Sequence, residues 1–84
     1  MKISVEVSMY PLDTNYVAPI QKFIDRMNEH HSIAVNTNTM STQIFGELDI
    51  VMDAIKNEIS LSFLKDNKSV FVMKIINSNL DPNL

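Results

Sequence analysis

A run of twelve residues, 36–47, carries the side chains that could do chemistry in this sequence. Seven of the twelve are polar and uncharged, where a small domain would ordinarily place β-branched apolar residues. An asparagine amide can donate to a ring nitrogen and accept from an exocyclic amine, and hydroxyl groups adapt to either role. A carboxylate nearby would favour a protonated ring or a cation. The segment indicates a hydrogen-bonding cleft for a small polar heterocycle, with a solvated edge hairpin as the alternative.

The other residue types leave little room for metal or covalent chemistry. The chain has no cysteine, which excludes disulfides, thiolate zinc sites and cysteine nucleophiles. Its single glycine is incompatible with a glycine-rich phosphate-binding loop. His30 and His31 are adjacent rather than four residues apart, and no third ligand is spaced to join them. We interpret the histidines as surface partners of a helix dipole and predict no metal site.

Composition and charge predict one folded domain. Seven basic and ten acidic residues give a formal charge of −3, the wrong sign for a surface that binds phosphates, so we expect no nucleic acid partner. Ile, Val, Leu and Phe supply 27 of the 84 residues, well above the roughly 20% below which a charged chain stays disordered. No apolar run approaches a membrane span or a signal-peptide core. We predict a domain at 1–77, a loose polar tail at 78–84, no membrane contact and a cytoplasmic location.

Periodicity predicts six elements. Apolar residues at alternate positions predict strands at 3–9, 33–39, 42–47 and 70–76, with a chain reversal at Met40 and Ser41. Two apolar stripes at helical spacing predict the intervening helices. The stripes consist of Val17, Ile20, Phe23, Ile24 and Met27, and of Leu48, Val51, Met52, Ile55, Ile59 and Phe63. Gly46 is predicted to mark a bulge or a close approach to the backbone.

The order β-α-β-β-α-β predicts an α+β fold. It is the ferredoxin-like βαββαβ two-layer sandwich, in which a four-stranded antiparallel sheet carries both helices on one face. The uncovered face would mix apolar and polar side chains, namely Val70, Val72, Ile76, Tyr10, Phe45, Glu6, Ser8, Asn36 and Gln43. Because so mixed a face is seldom left bare, we predict a homo-oligomer, a dimer or tetramer, assembled through the open sheet face.

Three segments, 4–12, 37–47 and 51–55, resemble the YkoF-like thiamine-binding family. The similarity consists of a strand that ends in Pro-Leu, a Met-Ser-Thr sequence at 40–42, and a Glu shortly before the second helix. Ser41 stands where many members carry glycine. The resemblance implies a ferredoxin-like domain that binds thiamine or its hydroxymethylpyrimidine part without known catalysis and that assembles as dimers and often tetramers.

Carried over to matching positions, the resemblance implies six ligand-binding residues, which are Asn38, Ser41 and Thr42, followed by Glu6, Glu47 and Tyr10. An aminopyrimidine offers ring-nitrogen acceptors and an amino donor, which suit Asn38 and the hydroxyl groups. Thiazolium is a soft cation that a carboxylate and an aromatic face attract. Simpler roles remain open, because Glu47 could serve a helix dipole, Tyr10 could anchor an interface and Thr42 could face inward.

Three classes of function follow. The first is a non-catalytic small-molecule binding protein for thiamine or hydroxymethylpyrimidine, with that bound ligand and no other cofactor. The alternative is a structural or regulatory ferredoxin-like interaction domain that senses another small ligand such as an amino acid, although its ligand loop would usually need more glycine. The third is an enzyme in which Glu6 or Glu47 acts as a general base.

Overall fold

The computed structural model describes residues 1–83 and contains the six predicted elements in the predicted order. They are β1 (Lys2–Pro11), α1 (Val17–Met27), β2 (Ala34–Thr37), β3 (Thr42–Glu47), α2 (Leu48–Lys65) and β4 (Ser69–Ile76). The strands form one sheet in the order β2-β3-β1-β4, and all neighbours are antiparallel. The predicted ferredoxin-like α+β fold is confirmed.

The core lies between the helices and one face of the sheet. β1 is central because it pairs with both β3 and β4, and its alternation buries Ile3, Val5 and Val7 against the helices, as predicted. The core is completed by Met9, Phe23, Met27, Ile44, Val51, Ala54 and Ile55. Period-two alternation in the strand and 3.6-residue spacing in the helices place these side chains on facing surfaces.

The ends of the two helical stripes differ from the prediction. Val17 is 60% exposed because it is the first residue of α1, and Pro19 is buried in the first turn instead. Proline is tolerated there because its missing N–H would have no intrahelical partner. Leu48 and Phe63 at the two ends of α2 are also exposed. The second half of α2 instead buries two polar side chains, Glu58 and Ser62.

The hairpin between β2 and β3 explains why β2 is shorter than predicted. The Asn38 N–H donates to Ser41 O at 3.0 Å, and Asn38 Oδ1 accepts the backbone N–H groups of Met40 and Ser41, each at 2.8 Å. Asparagine competes with a strand in this way by bonding its own turn. The turn at 38–41 therefore ends β2 at Thr37.

Gly46 lies where the sheet meets α2, as predicted for a closely approached position. Its φ is 157°, and a methyl group there would lie 3.2 Å from Val51 Cγ2 and 3.4 Å from Ile33 Cγ2. Glycine is therefore the residue that fits this backbone conformation and this space.

The face of the sheet opposite the helices carries the residues expected of it. On β4, Val70, Val72 and Ile76 pair with the even-numbered residues of β1, which point away from the core. The start of the C-terminal tail crosses this face, because Ser4 Oγ donates to Ser78 O at 2.7 Å and accepts the Leu80 N–H at 2.8 Å. The tail, predicted to be loose, is held here at residues 78–80; Leu84 lies outside the described residues.

No helix among residues 1–83 is long and apolar enough to cross a membrane.

Candidate functional site

Four polar side chains form a line across the open face of the sheet. Asn36 pairs with Gln43, Gln43 pairs with Glu6, and Glu6 pairs with Lys74. Directly paired residues have Cβ atoms about 4.5–5.5 Å apart, so this polar row (Asn36, Gln43, Glu6 and Lys74) spans about 15 Å and touches every strand. It presents two amides, one carboxylate and one ammonium group side by side.

Glu6 is the centre of the polar row. Its Oε2 accepts a hydrogen bond from Ser41 Oγ at 2.9 Å, and its Oε1 lies 3.6 Å from Lys74 Nζ. The Lys74 side chain is 83% exposed and the Glu6 side chain 38%. Because an exposed ion pair contributes only about 0–1 kcal/mol, a ligand can displace the lysine at little cost. The Ser41 hydroxyl holds one carboxylate oxygen and leaves the other for a ligand.

A pocket of about 340 Å³ lies beside the polar row. Its polar wall includes Glu6, Gln43 and Lys74, and its apolar walls include Phe45 and Leu80. The volume lies in the range of about 300–1,000 Å³ that is typical of small-molecule sites. Leu80 reaches the pocket because Ser4 holds the C-terminal tail over the sheet.

A second pocket, of about 100 Å³, lies beneath the hairpin on the helix side of the sheet. Its lining includes Asn38 and Thr42, together with core residues such as Phe23. It is below the usual size of a small-molecule site, so the polar hairpin does not by itself enclose a heterocycle.

The structure places four of the six sequence-predicted ligand residues on the open face of the sheet, namely Glu6, Ser41, Tyr10 and Glu47. Glu6 and Ser41 are in direct contact. Tyr10 lies on the same face and is exposed, four residues further along β1, which is about 13 Å from Glu6.

Asn38 and Thr42 lie at the hairpin but do not face the polar row. Thr42 is buried on the helix side, where its hydroxyl lies 3.5 Å from that of Thr37. Asn38 Oδ1 is occupied by the turn amides, so this side chain can offer a ligand its Nδ2 donor but not the paired donor and acceptor that the sequence suggested.

Glu47 lies at the opposite end of β3, five residues or about 17 Å from Thr42. Its Oε2 accepts a hydrogen bond from the α-amino group of Met1 at 2.9 Å. This hydrogen bond, followed by the attraction of the same ammonium charge, lowers the pKa of Glu47 below its usual value. Glu47 therefore cannot share a small ligand with the hairpin residues.

The sequence interpretation placed Asn36 and Gln43 on the open face but did not identify either of them as a site residue. It did not identify Lys74 as a site residue either. A signal for the first two was present, because residues 36 and 43 are symmetric about the turn at 38–41. Lys74 is the single charged residue of β4. Its position opposite Glu6 depends on the β1–β4 register, which connects distant parts of the chain.

A separate polar cluster lies between the two helices. Glu58, whose side chain is 7% exposed, accepts one hydrogen bond from Arg26 Nε at 2.9 Å and pairs with His30 Nε2 at 2.8 Å. Arg26 Nη2 also donates to Ser62 Oγ at 2.8 Å. The interpretation of His30 as a surface partner of the helix dipole is wrong, because the ring is turned inward to Glu58; His31 is exposed. The cluster is internally satisfied and holds α1 to α2.

Within residues 1–83, no group of three or more His, Asp or Glu side chains is placed to hold a metal ion.

The sequence matches no family model and no curated protein. Solved structures do match it. Protein SP2199 from Streptococcus pneumoniae superposes with a TM-score of 0.86 at 20% identity, covering 95% of this chain and 90% of that one. The hypothetical protein MJ1052 from Methanocaldococcus jannaschii gives 0.79 at 27% identity, covering 99% and 87%.

A third match is TM0486 from Thermotoga maritima, a protein assigned provisionally to thiamine biosynthesis or salvage. Its TM-score is 0.83 at 16% identity, and the alignment covers 93% of this chain and 85% of that one. The chain shares the fold of these proteins. At such identities the similarity establishes architecture and does not establish the ligand.

Proposed function

We propose that this protein binds thiamine or its hydroxymethylpyrimidine moiety at the polar row, without catalysing a reaction. The observation that carries the proposal is the line of amide, carboxylate and ammonium groups beside a pocket of about 340 Å³. The resemblance of the sequence to thiamine-binding domains and the provisional thiamine assignment of the Thermotoga maritima protein support the choice of ligand.

The residue types match the two halves of thiamine. The amides of Asn36 and Gln43 can donate to the ring nitrogens of an aminopyrimidine and accept from its amino group. Glu6 can attract the thiazolium cation with the carboxylate oxygen that Ser41 leaves free. Phe45 and Leu80 supply the apolar walls that such rings require. The thiazolium would replace the Lys74 ammonium as the partner of Glu6.

Titration calorimetry with thiamine, hydroxymethylpyrimidine and a set of amino acids tests this proposal. Glu6→Gln removes the charge and keeps much of the hydrogen-bonding capacity. We expect a loss of about 1–3 kcal/mol for thiamine, roughly five- to more than a hundredfold in affinity, and little change for neutral hydroxymethylpyrimidine.

Glu47→Gln is the matched control, because it makes the same substitution at the far end of β3 and should leave both affinities unchanged. If Glu47→Gln weakens thiamine binding and Glu6→Gln does not, the polar row is not the site. Binding of an amino acid in place of both thiamine ligands would favour a sensing domain, and turnover of either compound would favour an enzyme.

We also propose that a second copy packs on the open face and covers the pocket from above, because exposed apolar residues such as Tyr10, Val70 and Val72 lie on the same face as the polar row. Light scattering should then give a mass above the 9.6 kDa of one chain at micromolar concentration. A monomer at that concentration would contradict the proposal.

A further inference from the structure

The start of the C-terminal tail forms a strap over one end of the open face. After β4 ends, residues 77–80, called the strap below, turn back across β1. The Ser4 hydroxyl donates to Ser78 O at 2.7 Å and accepts the Leu80 N–H at 2.8 Å. In the part of the chain that the structure describes, no other hydrogen bond joins the tail to the sheet, and its remaining hydrogen bonds lie within the tail itself. A single side chain therefore fastens the strap.

Burial on the open face shows what the strap covers. Ser4 and its partner on β3, Phe45, are each 6% exposed although they lie opposite the helices. Tyr10 lies on the same face at the other end of β1 and is 55% exposed. Phe45 does not belong to the core between the helices and the sheet. We attribute the burial of this end of the open face to the strap, whose apolar contact adds to the two hydrogen bonds.

The strap also supplies one wall of the pocket beside the polar row. Leu80 and Phe45 line that pocket together with Glu6 and Lys74. Leu80 is 57% exposed, so about half of its side-chain surface is available to a bound molecule. An apolar ring in the pocket would remove more of this surface from water. Binding of a ring and docking of the strap therefore favour each other.

The fastening of the strap is weak enough to open. A neutral hydrogen bond changes an equilibrium constant by only about two- to tenfold, and the strap has two such bonds to the sheet. Residues 77–80 lie outside every helix and strand, and chain ends held by few contacts open at a low cost in free energy. A ligand that contacts the docked strap shifts the equilibrium toward docking.

We propose that the strap is a movable wall of the ligand site, in which Leu80 contacts the bound ring and Ser4 is the positioning residue that holds Leu80 there. Ligand binding and strap docking then stabilise each other. This inference rests on the proposed function, because the ring is that of thiamine or hydroxymethylpyrimidine at the polar row. It adds to that site a positioning residue that does not touch the ligand and a segment that opens and closes.

Amide hydrogen exchange measured by NMR tests the coupling. Thiamine or hydroxymethylpyrimidine at about a hundred times its Kd should slow exchange of the Leu80 amide at least about tenfold, because mass action suppresses opening of the strap. The Asp66 amide, which donates to Ser62 O at 3.0 Å at the end of α2, is the control and should change little. Unchanged exchange at Leu80, or equal slowing of both amides, would overturn the coupling.

Ser4→Ala removes the fastening. The Leu80 amide should then exchange about tenfold faster in the free protein, since it loses its acceptor. Ligand affinity should fall about five- to tenfold, because the docked strap becomes a minor state. Ser8→Ala is the matched control, as it lies on the same face of the same strand but donates to Met40 O at 3.5 Å, away from the strap. It should leave the exchange of the Leu80 amide and the ligand affinity unchanged.

Leu80→Ala removes the wall and keeps the fastening. Ligand affinity should fall about five- to tenfold, as expected for partial loss of a buried leucine contact. In this background Ser4→Ala should weaken binding by less than about twofold more, because Ser4 acts through Leu80.

The outcomes separate this inference from the proposed function. Additive losses in the double variant would show that Ser4 does not act through Leu80 and would overturn the inference. If both single variants bind as tightly as the parent protein, the strap is not a wall of the site and only this inference fails. If the parent protein binds neither thiamine nor hydroxymethylpyrimidine, the proposed function fails and the coupling fails with it.

Discussion

Replacing Arg26 with methionine tests whether the buried polar cluster holds the two helices together. Arg26→Met keeps the aliphatic stem but removes the Nε donor to Glu58 Oε1, at 2.9 Å, and the Nη2 donor to Ser62 Oγ, at 2.8 Å. The Glu58 side chain is 7% exposed. Its carboxylate is then left nearly out of water with His30 as its remaining side-chain partner.

The structure allows the size of the effect to be worked out. Removal of one partner from a buried ion pair costs about 3–5 kcal/mol. Arg26 is 18% exposed and His30 still contacts Glu58, so we expect the lower end, about 3 kcal/mol. In a domain of this size 1 kcal/mol corresponds to roughly 4–8 °C in Tm. The Tm should therefore fall by about 12–24 °C.

Urea unfolding followed by far-ultraviolet circular dichroism measures this loss. The double variant Arg26→Met, Glu58→Leu should recover most of the stability, because an apolar pair leaves no charge buried. Gln21→Ala is a control on the same helix: it removes an exposed hydrogen bond to Asp25 at 2.8 Å and should cost no more than about 0.5 kcal/mol. A loss below about 1 kcal/mol for Arg26→Met would refute the reasoning. So would a double variant whose loss of stability equals the sum of the losses of the Arg26→Met and Glu58→Leu single variants.

Three further predictions concern other parts of the chain. Acetylation of the Met1 α-amino group should raise the pKa of Glu47 toward its usual 4.5, because the hydrogen bond from that ammonium group is the main cause of the lowered pKa. An NMR titration measures the pKa of Glu47. An unchanged pKa after acetylation would contradict this cause. Because the pKa of Glu47 is lower in the folded than in the unfolded state, the contact between Met1 and Glu47 stabilises the fold at pH values above the usual pKa. That stabilisation is lost as the pH falls through the folded-state pKa of Glu47. The acetylated protein should therefore lose less stability on acidification than the unmodified protein. Gly46→Ala should destabilise the fold by about 1–3 kcal/mol in urea unfolding, because the new methyl group lies 3.2 Å from Val51 Cγ2 at a φ of 157°. A Val51→Ala background should reduce that cost, and an equal cost in both backgrounds would show that the contact is unimportant. Asn38→Ala should cost about 1–2 kcal/mol of stability, because two turn amides lose their acceptor. A loss of ligand affinity without a loss of stability would show that the side chain serves the ligand instead.

Local periodicity was sufficient to predict the elements and the core of the sheet. The alternation from Ile3 to Met9 assigned the buried face of β1, and the bounds of β3 were predicted correctly as Thr42–Glu47. These features depend on the spacing of side chains along one segment, which the backbone geometry of strands and helices converts directly into a face. The order of the elements then left the ferredoxin-like arrangement as the natural way to bury those faces together.

Periodicity failed where a position depends on what lies opposite. Val17 fits the helical stripe of α1 but lies at its first residue and is exposed. Glu58 interrupts the apolar stripe of α2 and is buried because Arg26 and His30, about thirty residues earlier, supply its partners. A carboxylate is buried only when it is paired, and a sequence does not show which distant cation will reach it.

The candidate site shows the same division. From its sequence alone the protein has a polar hairpin, a mixed open face and an excess of acidic charge, because these follow from residue type and alternation. The tertiary structure decided which of those residues meet. Register placed Asn36, Gln43, Glu6 and Lys74 in one line. A shift of one residue in register exchanges the two faces of a strand, and register is fixed by the packing of the whole sheet rather than by any single segment.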